Sequence, residues 1–488
     1  MGNKSGARLV LLLAVAGCQD AGERHSPAHA ATERLPLSVC TLDDIDEPLL
    51  CGVLNVPENR SDDDGRRIAM TVVVIPAHDG NPHGHAWIEH VGGPRYSMVA
   101  GARHFADGGE LQQFREQRDV VLVDPRGLHE SGGLFCDALA VPRLLERYYP
   151  PDRVAACRDE LAPRADLAQY STLNIIEDYE ALRRWLGYER WDAGGWSAGS
   201  RFLLTYLHRY PDSFRSLVLS IPSTLNFKRP KEYAYHGQRA FDGVAAACAA
   251  DAACARRFPA VATDLERTLE ALEREPRTVA FTDPQTGAGT ERVLTRDLFA
   301  EAVWEALLRN GTARQLPYVL RHAAAGDFGP FIDIAIPAEP APAEPEGHYF
   351  SVVCPEETVR LTRAEAAAAA ADTFVGHYTA EDYIAACEAW GLPANPAHPI
   401  EPGVFAVPAL IITGELDPVT PPAYGDEIAG HFTDVLHVTV PQMAHGVRGM
   451  ANAECLLQLM SRFVERGTAR DLDVSCVATL RPPPFRLD

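Results

Sequence analysis

The 488-residue sequence predicts an α/β architecture: a largely parallel sheet covered by helices and interrupted by a long, mostly helical insertion. Three observations carry this reading. Apolar, β-branched runs alternate with helical patterns in the first half of the chain, give way to helices from about residue 222, and return after about residue 404.

At the N-terminus, Lys4 and Arg8 accompany the apolar run Leu9 to Ala16, which is far shorter than the roughly 20 residues a membrane span needs. The stretch AVAGC, ending at Cys18, resembles a bacterial lipobox. Residues 1–18 are therefore expected to be a lipoprotein-type signal peptide ending at a lipidated Cys18, and the polar residues 19–35 a flexible tether. The expected location is the bacterial cell envelope, with membrane contact only through this anchor. Gln19 points to the outer membrane where one exists.

Four runs in the next part read as buried strands: IAMTVVVIP from Ile68, AWIEH from Ala86, DVVLVD from Asp119 and SLVLS from Ser216. Between the last two, Ile175, Ile176, Tyr179, Leu182 and Leu186 share one helical face, and Asn174 and Glu177 are spaced like a capping box. Residues 36–221 are thus expected as the first part of the core. The segments ATDLERTLEALERE, RDLFAEAVWEALLRN and RAEAAAAAADTF make residues 222–403 a helical insertion, broken by the Pro/Glu run IPAEPAPAEPEG at 336–347, a stiff linker or exposed loop. VPALIITG from Val407 and VLHVTVP from Val435 restore the strand pattern and define residues 404–488 as the rest of the core.

Beyond Cys18 the chain has ten cysteines, an even number that in an exported protein points to disulfides. Pairing neighbours, Cys40 with Cys51, Cys136 with Cys157, Cys248 with Cys254, Cys354 with Cys387 and Cys455 with Cys476, would staple local segments without crossing. Spacing alone leaves the connectivity open. No CxxC pair or HExxH helix suggests a metal, and His78, His83, His85 and His90 read as a solvated connection and the strand after it. With 45 basic against 67 acidic residues, net −22, nothing favours binding to phosphate backbones, so nucleic acid is not an expected partner.

The chemistry centres on Gly195-x-Ser197-x-Gly199. A serine nucleophile on a tight strand-to-helix turn needs small neighbours two residues to either side, and here a helix (RFLLTYLHRY) follows the motif. A serine hydroxyl also needs a base oriented by a carboxylate. Asp417 in GELDPVTPP and His445 in PQMAHGV follow the last two strands in the order Ser, Asp, His. For the oxyanion, the expected donors are the N–H of Ala198, directly after the nucleophile, and that of Gly93, in the loop EHVGGPRYS.

The blocks HVGGP, DVVLVDPRGLHES, GGWSAGS, PALIITGELDPVTPP, VPQMAHGV and LDVSCVATLRPPPF together resemble the tripeptidyl aminopeptidase branch of the α/β-hydrolases, related to the prolyl aminopeptidases, over about Cys40 to Phe485. The resemblance implies an α/β-hydrolase sheet with a helical cap and a serine exopeptidase that releases short peptides or amino acids from free N-termini. It implies no metal and no cofactor, supports Ser197, Asp417 and His445 as the triad, and makes Asp124, Arg126 and Gly127 structural support near the site. Two departures bear on substrate preference: Arg95 stands where the family continues with glycine, and Ala198 where it has tyrosine. Binding an α-ammonium calls for carboxylates, for which Glu356, Glu357 and Glu89 are the candidates; Arg95 is a further candidate for substrate contact. Two other readings remain: a carboxylester hydrolase using the same triad, and a non-catalytic lipoprotein that uses the fold as a binding surface. The tail RPPPF reads as a chain end lying along the surface.

Overall fold

A computed structural model describes residues 36–140, 144–339, 342–397 and 400–488. The expected signal peptide, Cys18 and the tether lie outside the described residues. Nine strands make one sheet: β1 (Ser38–Leu42), β2 (Ile45–Pro57), β3 (Arg67–Ile75), β4 (His85–His90), β5 (Asp119–Val123), β6 (Arg190–Trp196), β7 (Phe214–Ser220), β10 (Ala409–Gly414) and β11 (Val435–Val440). The remaining two, β8 (Arg277–Thr282) and β9 (Gly289–Leu294), pair as a separate hairpin.

The sheet order is β1-β2-β3-β5-β4-β6-β7-β10-β11. From β5 to β11 all neighbours are parallel, while β1, β2 and β3 add an antiparallel edge. Continuous apolar runs suit this arrangement because both faces are covered. Along β3, Val72 and Val74 join one buried cluster, and Val73 and Ile75 join the other. The antiparallel edge differs from the sequence expectation because β2 has no continuous apolar run: it carries Asp46, Glu47 and Pro48 and is only partly buried.

Helix Thr172–Leu186 buries Ile175, Ile176, Tyr179 and Leu182, as its periodicity predicts. Its N-cap, however, is Ser171, whose side chain accepts from the Asn174 N–H, and Gly187 ends it with φ 76°. The expected Asn174/Glu177 box does not form; Glu177 instead accepts from Arg209 and Tyr210 at 2.7 and 2.8 Å. His90 also differs from expectation. It is buried, stacks on Phe202 with ring centroids 3.9 Å apart and bonds the Tyr179 hydroxyl, and desolvation lowers its pKa to about 3.

Between β7 and β10 the chain builds a largely helical layer with its own apolar centre, including Phe241, Phe258, Leu265, Phe299, Val303 and Leu320. The 336–347 run does not remain a linker to its end: Glu346 opens a buried helix, Glu346–Glu356. The closing RPPPF segment lies against this layer, with Arg314 over the Phe485 ring at 4.3 Å.

Among the described residues, five disulfides join neighbouring cysteines: Cys40–Cys51, Cys136–Cys157, Cys248–Cys254, Cys354–Cys387 and Cys455–Cys476. Such a set marks an exported protein, since reducing compartments do not maintain it. Among the described residues, no helix is long and apolar enough to cross a membrane.

A buried ion pair ties the sheet to its covering helices. Arg126 holds Asp178 through two bonds, at 2.6 and 2.7 Å, and donates to the carbonyls of Pro57, Glu58 and Gln169. Both side chains are fully buried. Removing Arg126 leaves the buried Asp178 carboxylate with only its partly exposed partner Arg60 and takes a donor from three carbonyls. Arg126→Leu is expected to destabilise the fold by about 3 kcal/mol or more, measured by urea unfolding; a loss under about 1 kcal/mol would contradict this role.

Candidate active site

The parallel strands deliver the chemistry at their C-terminal ends, where open α/β sheets place ligands. After β6 comes Ser197, with φ 53° and ψ −119°, and helix Ala198–Arg209 starts at the next residue. The turn brings that helix against the end of β4. A Cβ at Gly199 would lie 1.8 Å from the His90 carbonyl oxygen, and one at Gly195 would lie 2.8 Å from Ser200 Cα. Side chains at either position would push the turn apart.

After β10, Asp417 is fully buried and its carboxylate accepts the N–H groups of Val419 and Thr420 at 2.7 and 2.9 Å. Its second oxygen lies 2.7 Å from His445 Nδ1 and accepts from the Thr420 hydroxyl at 2.9 Å. After β11, His445 Nε2 reaches Ser197 Oγ at 3.1 Å. The structure therefore brings together Ser197, His445 and Asp417, which lie on three separate loops. This geometry can move the hydroxyl proton to imidazole while the carboxylate fixes the ring.

Asn310, from the inserted layer, secures the histidine loop: it donates to the carbonyls of Gly446 and Arg448 and accepts from the Ala444 N–H, all at 2.8 Å. Sequence reasoning missed this residue, because a lone asparagine at a helix start carries no signal of its distant partner.

The glycine loop after β4 faces Ser197. A Cβ at Gly92 would lie 3.2 Å from the Ala198 nitrogen, so the backbones carrying the two expected oxyanion donors, Ala198 and Gly93, are adjacent. The loop is held from two sides. Arg229 donates to the Gly93 carbonyl at 3.2 Å, and Asp124 accepts from Ser97 and from the N–H groups of Met98 and Val99 just beyond the loop.

Glu356 and Glu357 are not on the pocket wall, contrary to the sequence expectation. Glu356 accepts from the Thr172 N–H and hydroxyl and from Arg201, and Glu357 pairs with Arg201 and Arg229. Both carboxylates are fully buried. Burial pushes the Glu357 carboxyl up, but Arg229 and Arg201 outweigh it and hold it below its ordinary value. Their work is to link the nucleophile helix, through Arg229, to the Gly93 loop.

A cavity of about 460 Å³ opens over Ser197 and His445. Tyr233, Trp304, Tyr349 and Tyr383 from the insertion supply aromatic walls, and Glu301, Glu305 and Glu344 supply carboxylates. Arg95 also lines it. Glu301 and Glu305 were missed because a Glu-bearing amphipathic helix, read alone, presents its acids to solvent.

The model of the family described as alpha/beta hydrolase fold matches residues 100–447. The serine protease Hip1 of Mycobacterium tuberculosis is 23% identical over 477 residues, covering 88% of this chain and 87% of that protein. A probable proline iminopeptidase of Streptomyces coelicolor is 30% identical over 141 residues, 29% of this chain and 34% of its own. The crystal structure of a proline iminopeptidase from Mycobacterium smegmatis aligns over 85% of this chain and 98% of its own, with 14% identity and a TM-score of 0.39.

Glu89 stands beside the turn, at the end of β4. It is buried and accepts the Trp196 indole N–H at 2.6 Å. Burial pushes its carboxyl up from 4.5 to about 7, against the pull of that hydrogen bond. Its folded pKa is therefore raised, so the stability it contributes is present below about pH 4.5 and is lost as pH rises through about 7. Glu89→Gln keeps an acceptor for Trp196 without the charge. The variant is expected to melt close to wild type at pH 4.5 and higher than wild type at pH 8.5; a lower melting point at pH 8.5 would refute the assignment.

Proposed function

The chain belongs to the α/β-hydrolase family, and we propose that within it the protein is a serine exopeptidase acting on free peptide N-termini. One observation carries the reading: the cavity that exposes Ser197 and His445 is walled by carboxylates of the insertion, Glu301 and Glu305, among aromatic rings. An α-ammonium entering a desolvated pocket needs such groups nearby, whereas an uncharged ester acyl chain would be served by an apolar wall.

In the proposed reaction, His445 takes the proton of Ser197 as Oγ attacks the carbonyl carbon, and Asp417 stabilises the imidazolium. The N–H groups of Ala198 and Gly93 receive the oxyanion. His445 then gives its proton to the departing amine, and a water activated by the same imidazole releases the acyl group from Ser197. Peptides are the proposed substrates, and the cap carboxylates, rather than Glu356 and Glu357, are the proposed amine contacts. The relationship to a serine protease and to proline iminopeptidases supports this reading. We further propose that Cys18 carries a lipid that tethers the exported enzyme to the envelope, the outer membrane where one exists.

Chromogenic amides of one, two and three residues, with free and with acetylated N-termini, test the proposal beside short-chain esters. Expected is amide cleavage that requires the free amine and falls about 10⁴-fold or more in Ser197→Ala. Ester turnover without amide turnover would transfer the protein to the carboxylester reading, and activity unchanged in Ser197→Ala would remove the triad altogether.

A further inference from the structure

A second cavity, about 420 Å³, adjoins the first. Arg95, Tyr148, Glu301, Glu305, Arg309 and Glu344 line both, so these residues make up the wall the two cavities share. Beyond the wall the second chamber is edged by Leu139, Leu144, Leu145, Leu298 and Ile334, and it has neither Ser197 nor His445 on its lining.

Arg95 reaches that wall from the core. It follows Gly93 by two residues, so its backbone is part of the loop that faces the nucleophile. Its side chain leaves that loop and crosses to the insertion. One guanidinium nitrogen bonds Glu344 and Glu346, the latter at 3.2 Å; the other donates to the Tyr149 hydroxyl at 2.7 Å. The guanidinium also lies over the Tyr349 ring, 4.0 Å from its centroid. Arg95, Glu346 and Tyr149 are all buried. A planar cation fixed by two carboxylates, a phenol and a ring face is a rigid partition, unlike an arginine free to swing into solvent.

We infer that Arg95 is a specificity-determining residue that closes the acyl side of the active-site pocket against the second chamber and so limits the length of acyl segment the enzyme accepts. The acyl group on Ser197 extends away from the nucleophile into the first cavity and meets the guanidinium; without it, the two chambers become one. For peptides this deepens the exopeptidase reading and rests on it, since the acyl segment is then the N-terminal residues released. For any acyl substrate the steric limit is the same.

The test uses two substrate series on the full chain: free-amine anilides of one to four residues, and nitrophenyl esters from butyrate to dodecanoate. Arg95→Gly is expected to raise kcat/KM for the longest members relative to the shortest by about tenfold or more, in the range that steric exclusion from a pocket produces. Arg95→Met, which keeps most of the bulk, is expected to leave that ratio within about threefold. A merely structural role would lower all lengths together and leave the ratio fixed, which would overturn the proposal. Ala302→Trp, which narrows only the second chamber and keeps Arg95, covers the case in which Arg95→Gly does not fold. It should leave the wild-type ratio unchanged, and a loss confined to long substrates would show the chamber already open and refute the partition. Should the wild type cleave no free-amine substrate, the exopeptidase reading fails while the ester series still decides on Arg95.

Discussion

The backbone of Ser197, held at positive φ between β6 and its following helix, is the constraint on which the rest of the site depends. Such a conformation costs a non-glycine residue about 1–3 kcal/mol and persists only where its surroundings enforce it. Here the enforcement is close packing: the turn presses the helix onto the carbonyl of His90, a contact only a glycine at 199 permits. That same approach sets the end of β4, and hence the Gly92–Gly93 loop, beside Ala198. The proposed nucleophile and oxyanion donors are thus positioned by one packing event.

Electrostatics then fix what packing leaves free. The path from Arg201 on the nucleophile helix through Glu357 to Arg229 and the Gly93 carbonyl crosses from core to insertion and back to the core. Because these groups are buried, each is held by its partners and none can relax into water without leaving a charge behind. The insertion is therefore more than a cover. Through Asn310 it also holds the loop that carries His445, so three parts of the site, the Ser197 turn, the His445 loop and the glycine loop, share supports with the layer that walls the pocket.

Much of this was legible in the sequence. The four early strands, the two late ones and the helical insertion carry strong periodic signals, and Ser197, Asp417 and His445 each lie in the turn or loop after a strand, among turn residues. The antiparallel β1–β2 edge was not legible, because half-buried strands with Pro48 and acids lack a continuous apolar run. Nor were the roles of acidic residues. Glu356 and Glu357 look like amine ligands beside a cysteine, but Arg201 and Arg229, 155 and 128 residues away, claim them. Glu301 and Glu305 look like ordinary surface acids, and only the placement of their helix above Ser197 turns them inward to the cavity. Local pattern reports which residues are charged; tertiary structure decides which charges meet.

The central claim is that His445 and Asp417 make Ser197 the one nucleophile of this cavity. Labelling with a fluorophosphonate, followed by peptide mapping of the modified residue, tests it most directly. The account predicts a single adduct per chain, on Ser197, whose formation slows sharply in a folded His445→Ala variant. A folded wild-type protein that stays unlabelled, or an adduct on a different serine, would contradict it.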